Sequence, residues 1–237
     1  MRHRRQHLLF ACSLLVLRLV QIVRINNGYA PPIMQLSLMS ITTTEIAGFL
    51  IAPLFIYLLL ARIRMTYHPS MLMRCGQTSL AHRRYLRRCA FDALFAAYVI
   101  QVSGLCVAIA TGVPFGPSQL FAYLVPTACL LWCHFMLAGC LLLVGSLLFR
   151  NVVLSLLAPA LFLCWDLFAR YVTYLVQTDA YSGWLLIEGL MSAYARWYVI
   201  SALRVLAVFL LVAGMLFWLS EYASAEKIAS RFGRIGD

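Results

Sequence analysis

The sequence predicts an all-α integral membrane protein with six transmembrane helices and cytoplasmic N and C termini. Of its 237 residues, 63% are hydrophobic and only 11% are charged, and the mean hydropathy is +0.87. Soluble domains are about 45–50% apolar and about 25% charged. Six apolar segments approach the roughly 20 residues that a helix needs to cross a bilayer. This composition excludes a water-soluble domain, a disordered chain and a disulfide-stapled secreted module.

The first predicted span is the segment 8–24. Leu8 to Leu17 is apolar, but Arg18, Gln21 and Arg24 follow at three-residue intervals on one helix face. Two interpretations remain open. Either the helix crosses the membrane, with Arg18 facing protein and Arg24 reaching the interface, or it lies on the membrane surface as an amphipathic helix.

The other five spans follow in order along a single transmembrane domain, 1–237. They are predicted at 44–62, 90–111, 119–149, 151–176 and 198–219. Only Arg150 and Asn151 separate the fourth from the fifth, and one continuous helix of that length is implausible, so a tight hairpin is expected there. Pro53, Pro126 and Pro159 lie inside spans and can kink them, which neighbouring helices tolerate in a membrane. No small-residue cleavage site follows the first apolar run, so no signal peptide is expected.

The distribution of basic residues predicts the orientation. The formal net charge is +11, and the basic residues lie between apolar runs rather than on a polar domain, which disfavours a nucleic-acid partner. Alternate connections are rich in arginine, whereas the connections 25–43, 112–118 and 177–197 carry only Arg196. This bias places both termini in the cytoplasm and requires an even number of spans. The basic residues of the cytoplasmic side are Arg2, Arg4, Arg5, Arg62, Arg64, Arg74, Arg83, Arg84, Arg87, Arg88, Arg150, Lys227, Arg231 and Arg234.

The longest cytoplasmic connection, 65–88, is the most distinctive stretch. Gly76 can end one short helix and Ser79 can cap the next. The second helix carries Tyr85 and Leu86 among basic residues, so it is expected to lie along the membrane surface. Its function is either that of a basic loop that binds anionic lipid or that of a docking helix for a cytoplasmic partner.

These features together resemble a known family. The stretch Ile-Ala-Pro-Leu-Phe-Ile-Tyr (51–57) leads into Met-Leu-Met-Arg-Cys-Gly (71–76), and a basic run then enters the third span. A long hydrophobic outer connection, 177–197, is expected to dip into the membrane before the last span. In these respects the chain is similar to the small six-span ABC-2 type permeases, which have a type V exporter-like architecture and include peptide and bacteriocin exporters.

The resemblance implies a permease subunit in the inner or plasma membrane that is not itself an enzyme. Its connection 66–88 would dock on a separate ATPase subunit. The chain has no Gly-x-x-x-x-Gly-Lys-Ser/Thr phosphate loop, so ATP and Mg would be held by that partner and no cofactor by this chain. The permease would pair with a second copy or a sister permease and export an amphipathic peptide, antibiotic or lipid-like substrate. The residues expected to couple it to the ATPase are Arg74, Gly76, Ser79, His82, Arg83, Arg84 and Arg87.

Charged residues inside predicted spans are the next candidates. Asp166 and Arg170 lie four residues apart on one helix face and can pair, and Arg204 lies in the sixth span. A charge at the bilayer centre costs roughly 2.5–3.5 kcal/mol on insertion scales, so such residues usually face protein or water. They would either fix helix packing as ion pairs or line a substrate path. Glu45 and Asp92 lie near span ends and are expected to be interfacial.

A metal site is disfavoured. Cys129, Cys133 and Cys140 share a helical face beside His134, and two thiolates at this spacing can hold a soft ion. However, Cys133 and His134 point about 100° apart, so we expect core packing. No paired carboxylates, His-Glu-x-x-His or Gly-x-Ser-x-Gly motif supports a protease or hydrolase.

Two functions from other classes remain as alternatives. A six-span substrate-binding subunit of a nutrient uptake transporter would bind a small ligand by itself and present small-residue helix faces to its partner. A membrane scaffold or assembly factor would act without any ATPase.

Overall fold

The computed structural model describes residues 2–26, 50–68, 70–71, 78–112, 117–149, 151–176 and 195–222, and nearly all of them are helical. No strand occurs within these ranges, in agreement with the predicted all-α class. The helices are α1 (Arg2–Asn26), α2 (Ala52–Thr66), α3 (Thr78–Ala110), α4 (Pro117–Leu148), α5 (Val152–Leu163), α6 (Trp165–Val176) and α7 (Ala195–Tyr222).

Two of these helices are long and apolar enough to cross a membrane. Judged by length and composition alone, they are Leu80–Ala110 in α3 and Thr127–Leu148 in α4. The stretches Val152–Leu163 and Ala202–Leu216 are apolar but shorter. This result applies to the described ranges only.

Helix α4 is the centre of the bundle, and it packs against α3, α5 and α7. Helix α1 runs parallel to α3, because His7 contacts Asp92 and Arg18 contacts Ser103. Helix α2 runs antiparallel to α3, because Arg62 contacts Asp92 whereas Thr66, one turn later, contacts Arg88. The first three described helices therefore alternate in direction.

The face of α3 inside the bundle is built from small side chains. Ala93, Ala96 and Ala97 are buried there. A side chain at Gly139 of α4 would collide with the thiol of Cys89. Because these residues are small, the backbones of α3 and α4 approach each other closely.

The predicted hairpin between the fourth and fifth apolar segments is confirmed. The side chain of Asn151 caps α5 by accepting a hydrogen bond from the Val153 amide at 2.9 Å. The Ser155 hydroxyl of α5 donates to the carbonyl of Gly145 in α4 at 3.1 Å. A Cβ on Gly145 would lie only 2.7 Å from the Ser155 carbonyl oxygen, so glycine permits the close contact of the two helices.

The fifth predicted segment, 151–176, is divided into α5 and α6 rather than forming one helix. The two meet at Cys164, whose φ is −93° and ψ is 8°. A ψ near zero, instead of about −42°, turns the following peptide away from the helical path. Pro159, which can kink a helix, lies within α5, and the break occurs five residues later.

The connection 65–88 also differs from the expectation. Residues 78–88 are not a separate helix on a membrane surface, because they form the first turns of α3 and continue into the third predicted span. Ser79 lies inside this helix rather than capping it. The reason is the buried stripe of Ala81, Tyr85 and Cys89, which packs into the bundle and keeps the basic segment in line with the rest of α3.

The structure also bears on one question about α1. The side chain of Arg18 is buried and bonded to α3, which is the contact that the first of the two interpretations of this segment expects. Other predictions concern parts of the chain that lie outside the described residues. These are the side chain of Arg24, the start of the second span with Glu45, positions 177–194 of the outer connection, and the C-terminal segment from 223 onward.

Candidate functional site

The predicted coupling residues divide into three groups. Arg74 and Gly76 lie outside the described residues, and Ser79 lies in the first turn of α3 with its side chain outside the described part. His82 is buried within the bundle. The exposed members, which lie on the opposite side of α3, are Arg83, Arg84 and Arg87.

The exposed face of α3 changes character along its length. Arg83 and Arg87 are followed on the same face, at helical spacing, by Phe91 and Leu94. Phe91 is 62% exposed and Leu94 is 54% exposed. The surface of this one helix therefore changes from arginine to large apolar side chains within about one turn.

The same change occurs at the same level on the two neighbouring helices. On α1, exposed Arg5 is followed by exposed Leu8, and on α2, which runs in the opposite direction, exposed Tyr57 precedes exposed Arg64. The contacts of both helices with Asp92 align these positions. The exposed arginines of α1, α2 and α3 thus mark one end of the bundle, which we call the basic end (Arg5, Arg64, Arg83, Arg84 and Arg87).

Beneath the basic end lies a cluster of Arg62 and Asp92, which are both buried, and the partly exposed His7. The side chain of Asp92 is completely buried. It accepts hydrogen bonds from Nε and Nη2 of Arg62, the latter at 2.6 Å. Nε2 of His7 lies 2.9 Å from Oδ1 of the same carboxylate. The cluster joins α1, α2 and α3, because one carboxylate of α3 contacts both other helices.

Asp92 was expected near the end of a span at the membrane interface, which stays a prediction; the structure shows that its side chain is buried between helices. Removing a carboxylate from water is costly unless an opposite charge and hydrogen bonds compensate. The two hydrogen bonds from Arg62 supply that compensation.

Further polar contacts hold the first turns of α3. The Tyr67 hydroxyl, just after α2, lies 2.5 Å from Nδ1 of His82. Burial raises the pKa of the Tyr67 hydroxyl well above its usual range, so the hydroxyl stays protonated and can donate to this nitrogen. The Tyr85 hydroxyl donates to the Gly139 carbonyl of α4 at 3.1 Å. Contacts to α2 and α4 therefore position the helix segment that carries the exposed arginines.

Sequence reasoning missed the pairing of Arg62 with Asp92. Arg62 was counted with the cytoplasmic connection, but it is buried within α2. The sequence did contain a signal for this pairing. Arg62 lies at the end of the second apolar run, and Asp92 lies near the start of the third. When two antiparallel helices are joined by a connection, these ends lie at the same level.

The intramembrane charges stay predictions. Asp166 and Arg170 both lie on α6, one turn apart, but their side chains are outside the described part of the structure. Arg204 lies on α7 and is partly buried.

The solvent exposure of the cysteines on α4 decreases along the helix. Cys129 is exposed, Cys133 is half-buried and Cys140 is buried. His134 is buried, with its ring centroid 4.5 Å from that of Phe162 in α5. Among the described residues, no group of three or more His, Cys, Asp and Glu side chains is arranged to hold a metal ion.

A groove lies between α1 and α3. Its volume is about 400 Å³, and its lining is apolar apart from a few side chains, among them Arg18 and Ser103. Arg18 donates to the Ser103 hydroxyl at 3.0 Å and to the Ile100 carbonyl at 2.9 Å. The groove therefore combines an apolar wall with one guanidinium.

No family model, curated protein or solved structure matches this chain. The similarity to ABC-2 type permeases thus rests only on the sequence features given above.

Proposed function

We propose that this chain is the membrane-spanning permease subunit of an ABC transporter, which exports an amphipathic substrate with ATP hydrolysed by a separate ATPase subunit. The observation that carries the proposal is the structure of α3. One continuous helix bears exposed arginines at its start and the buried Asp92 cluster one to two turns later. A partner bound to the arginines would act directly on the helix bundle.

Membrane insertion is supported by the distribution of exposed side chains. Beyond the basic end, the outward faces of α1, α3 and α7 carry large apolar residues, whereas small residues such as Ala96 lie inside. Exposed apolar surface on this scale is typical of contact with lipid or a partner rather than water. The stretch Leu80–Ala110 has 31 residues, or about 46 Å of helix. This exceeds a hydrocarbon core of about 30 Å, so its basic end would extend into the cytoplasm.

Coupling is supported by the contacts of this cytoplasmic extension. His82 and Asp92 join it to α2, Tyr85 joins it to α4, and Asp92 also joins it to α1 through His7. A displacement of the start of α3 by an ATPase would therefore move α1, α2 and α4 together with α3. Such a movement is what a transporter needs to change between inward-facing and outward-facing arrangements.

The substrate class is argued from the groove between α1 and α3. A groove with an apolar wall suits a molecule that is largely apolar, as an amphipathic substrate is over most of its surface. A small hydrophilic nutrient would gain little from such a wall, because it would lose its hydration without equivalent hydrogen bonds.

The uptake-subunit alternative is less well supported by the described helices. It expects small-residue faces that are open to a partner. Instead, Ala93, Ala96, Ala97 and Gly139 are buried within the chain itself. At the basic end, the exposed surface that a partner could contact is formed by arginine rather than by small residues.

The test is charge reversal at Arg83 and Arg84. We expect Arg83→Glu with Arg84→Glu to lower recovery of the ATPase with the tagged, detergent-solubilised chain by about tenfold or more, which corresponds to a loss of roughly 1.4 kcal/mol. The readouts are the amount of a co-purified subunit that carries a phosphate loop, and the ATP hydrolysis of the purified complex.

The matched control is Arg231→Glu with Arg234→Glu, which changes the net charge equally in the C-terminal segment that the sequence predicts to be cytoplasmic, outside the coupling residues. We expect this control to retain most of the ATPase. The coupling role is contradicted if the α3 variant inserts normally and still recovers the ATPase as well as the wild type does.

A further inference from the structure

A second cavity, distinct from the groove, opens between α1 and α2 near the basic end. Its volume is about 200 Å³. Sites for drug-sized ligands occupy about 300–1,000 Å³, so this cavity suits a smaller group. Its lining residues are Gln6, Tyr57, Leu60, Ala61, Arg64 and Met65.

Gln6 gives the cavity an acceptor that the protein does not use. The residue is only 6% exposed, and its Oε1 is buried without a hydrogen-bond partner. An unsatisfied buried amide oxygen costs free energy that a ligand with a hydrogen-bond donor would recover. The occupant should therefore bring a hydroxyl or ammonium group to Gln6.

Arg64 gives the same cavity a positive charge. Its side chain is exposed at the cavity, and an arginine guanidinium binds phosphate with two parallel hydrogen bonds. Arg5 adds a second exposed positive charge next to Gln6 in the sequence. The occupant should therefore also carry an anionic group.

The position of the cavity indicates where that anion comes from. Tyr57 and Arg64 lie on either side of the change from apolar to basic surface, which is the level of lipid headgroups if the chain spans a membrane as proposed above. We propose that this cavity binds the phosphoglycerol headgroup of an anionic phospholipid, with the phosphate at Arg64 and a glycerol hydroxyl donating to Gln6.

The chemistry of the cavity distinguishes among headgroups. A choline headgroup has no hydrogen-bond donor for Gln6. An ethanolamine headgroup has one, but its ammonium would lie close to the exposed charges of Arg5 and Arg64. The glycerol headgroup supplies a neutral donor together with a net negative charge, so it fits both groups.

The experiment measures lipid selectivity. The full-length chain is reconstituted in vesicles of equimolar phosphatidylglycerol and phosphatidylcholine, and separately of phosphatidylglycerol and phosphatidylethanolamine. It is then extracted and washed in detergent, and the retained lipids are quantified by mass spectrometry. We expect phosphatidylglycerol to be enriched about fivefold over each competitor, which corresponds to ~1 kcal/mol.

Two variants should abolish this enrichment: Arg64→Gln, which removes the charge, and Gln6→Leu, which removes the acceptor at similar volume. Arg83→Gln is the matched control, because Arg83 is an exposed arginine outside the cavity, and it should retain the enrichment. Equal retention of all three lipids, or unchanged selectivity in Arg64→Gln, would overturn the proposal. Binding of soluble glycerol phosphate without retention of any phospholipid would overturn the assignment to a lipid.

This result is separable from the proposed function. If selectivity fails while the chain remains an integral membrane protein and recovers its ATPase, only the headgroup site is rejected. If the chain is extracted without detergent, membrane placement itself is rejected, and the headgroup site with it.

Discussion

At the scale of single residues, the charged side chains that the structure describes on α1, α2 and α3 are either exposed at the basic end or held by specific contacts. Asp92 is the clearest case, since its carboxylate lies between Arg62 and His7 and is completely buried. Replacing a buried ion pair by apolar residues is often tolerated, whereas removing one partner leaves a buried charge uncompensated. The cluster should therefore behave as a unit rather than as independent residues.

We expect Asp92→Asn to lower the free energy of unfolding by about 3–5 kcal/mol, because the Arg62 guanidinium is then left buried without a carboxylate. Thermal unfolding in detergent, followed by circular dichroism, measures the loss.

The double variant Arg62→Met with Asp92→Asn is the control. It removes both charges and should be more stable than Asp92→Asn alone. Additive losses from the two single substitutions would mean that the two residues are not coupled in the folded protein.

At the scale of helices, close packing depends on a few glycines. Gly145 contacts the backbone of Ser155 across the hairpin of α4 and α5, whereas Gly214 on α7 has nothing within 4 Å of the position of a Cβ. Both glycines lie in helices, where alanine is favoured by about 1 kcal/mol. The same substitution at the two sites therefore separates helix propensity from packing.

We expect Gly145→Ala to destabilise the protein by about 1–3 kcal/mol, since the added methyl group would overpack against a backbone carbonyl. Gly214→Ala should be neutral or slightly stabilising. Comparison of their unfolding temperatures measures the difference, and equal stability of the two variants would argue against the close hairpin.

The sequence predicts helices better than it predicts their mutual contacts. The length of the apolar runs and the two polar residues Arg150 and Asn151 were enough to predict the α4–α5 hairpin. The continuity of α3 was missed because its basic residues suggested a surface helix. The opposing signal was the stripe of Ala81, Tyr85 and Cys89 at four-residue spacing.

The pairing of Arg62 with Asp92 cannot be predicted from the pattern of apolar and polar residues in one sequence. It depends on the register between two antiparallel helices, in which Arg62 lies beside Asp92 and Thr66 lies beside Arg88. A slip of one turn, about 5.4 Å, would separate the two charges. The break at Cys164 likewise has no signal in the sequence, because no glycine or proline occupies that position.

At the scale of the whole molecule, the alternating directions of α1, α2 and α3 agree with the alternation of basic and non-basic connections. The basic end carries Arg64 at the end of α2 and Arg83 at the start of α3, so both lie on the side that the charge distribution assigns to the cytoplasm. The proposed ATPase could reach these residues only on that side. The orientation of the chain is therefore a condition for the proposed function.

We expect reporter fusions to give opposite results at the two ends of α4. Alkaline phosphatase fused after Gly112 should be active, because the α3–α4 connection would lie outside the cytoplasm. Green fluorescent protein fused after Asn151, or at the C terminus of the full chain, should be fluorescent, because these positions would lie inside. The reciprocal fusions control for expression: phosphatase after Asn151 should be inactive, and the fluorescent protein after Gly112 should be dark. The inverse pattern would place the arginines of α3 away from any cytoplasmic ATPase. Cytoplasmic results at both positions would mean that α4 does not cross the membrane.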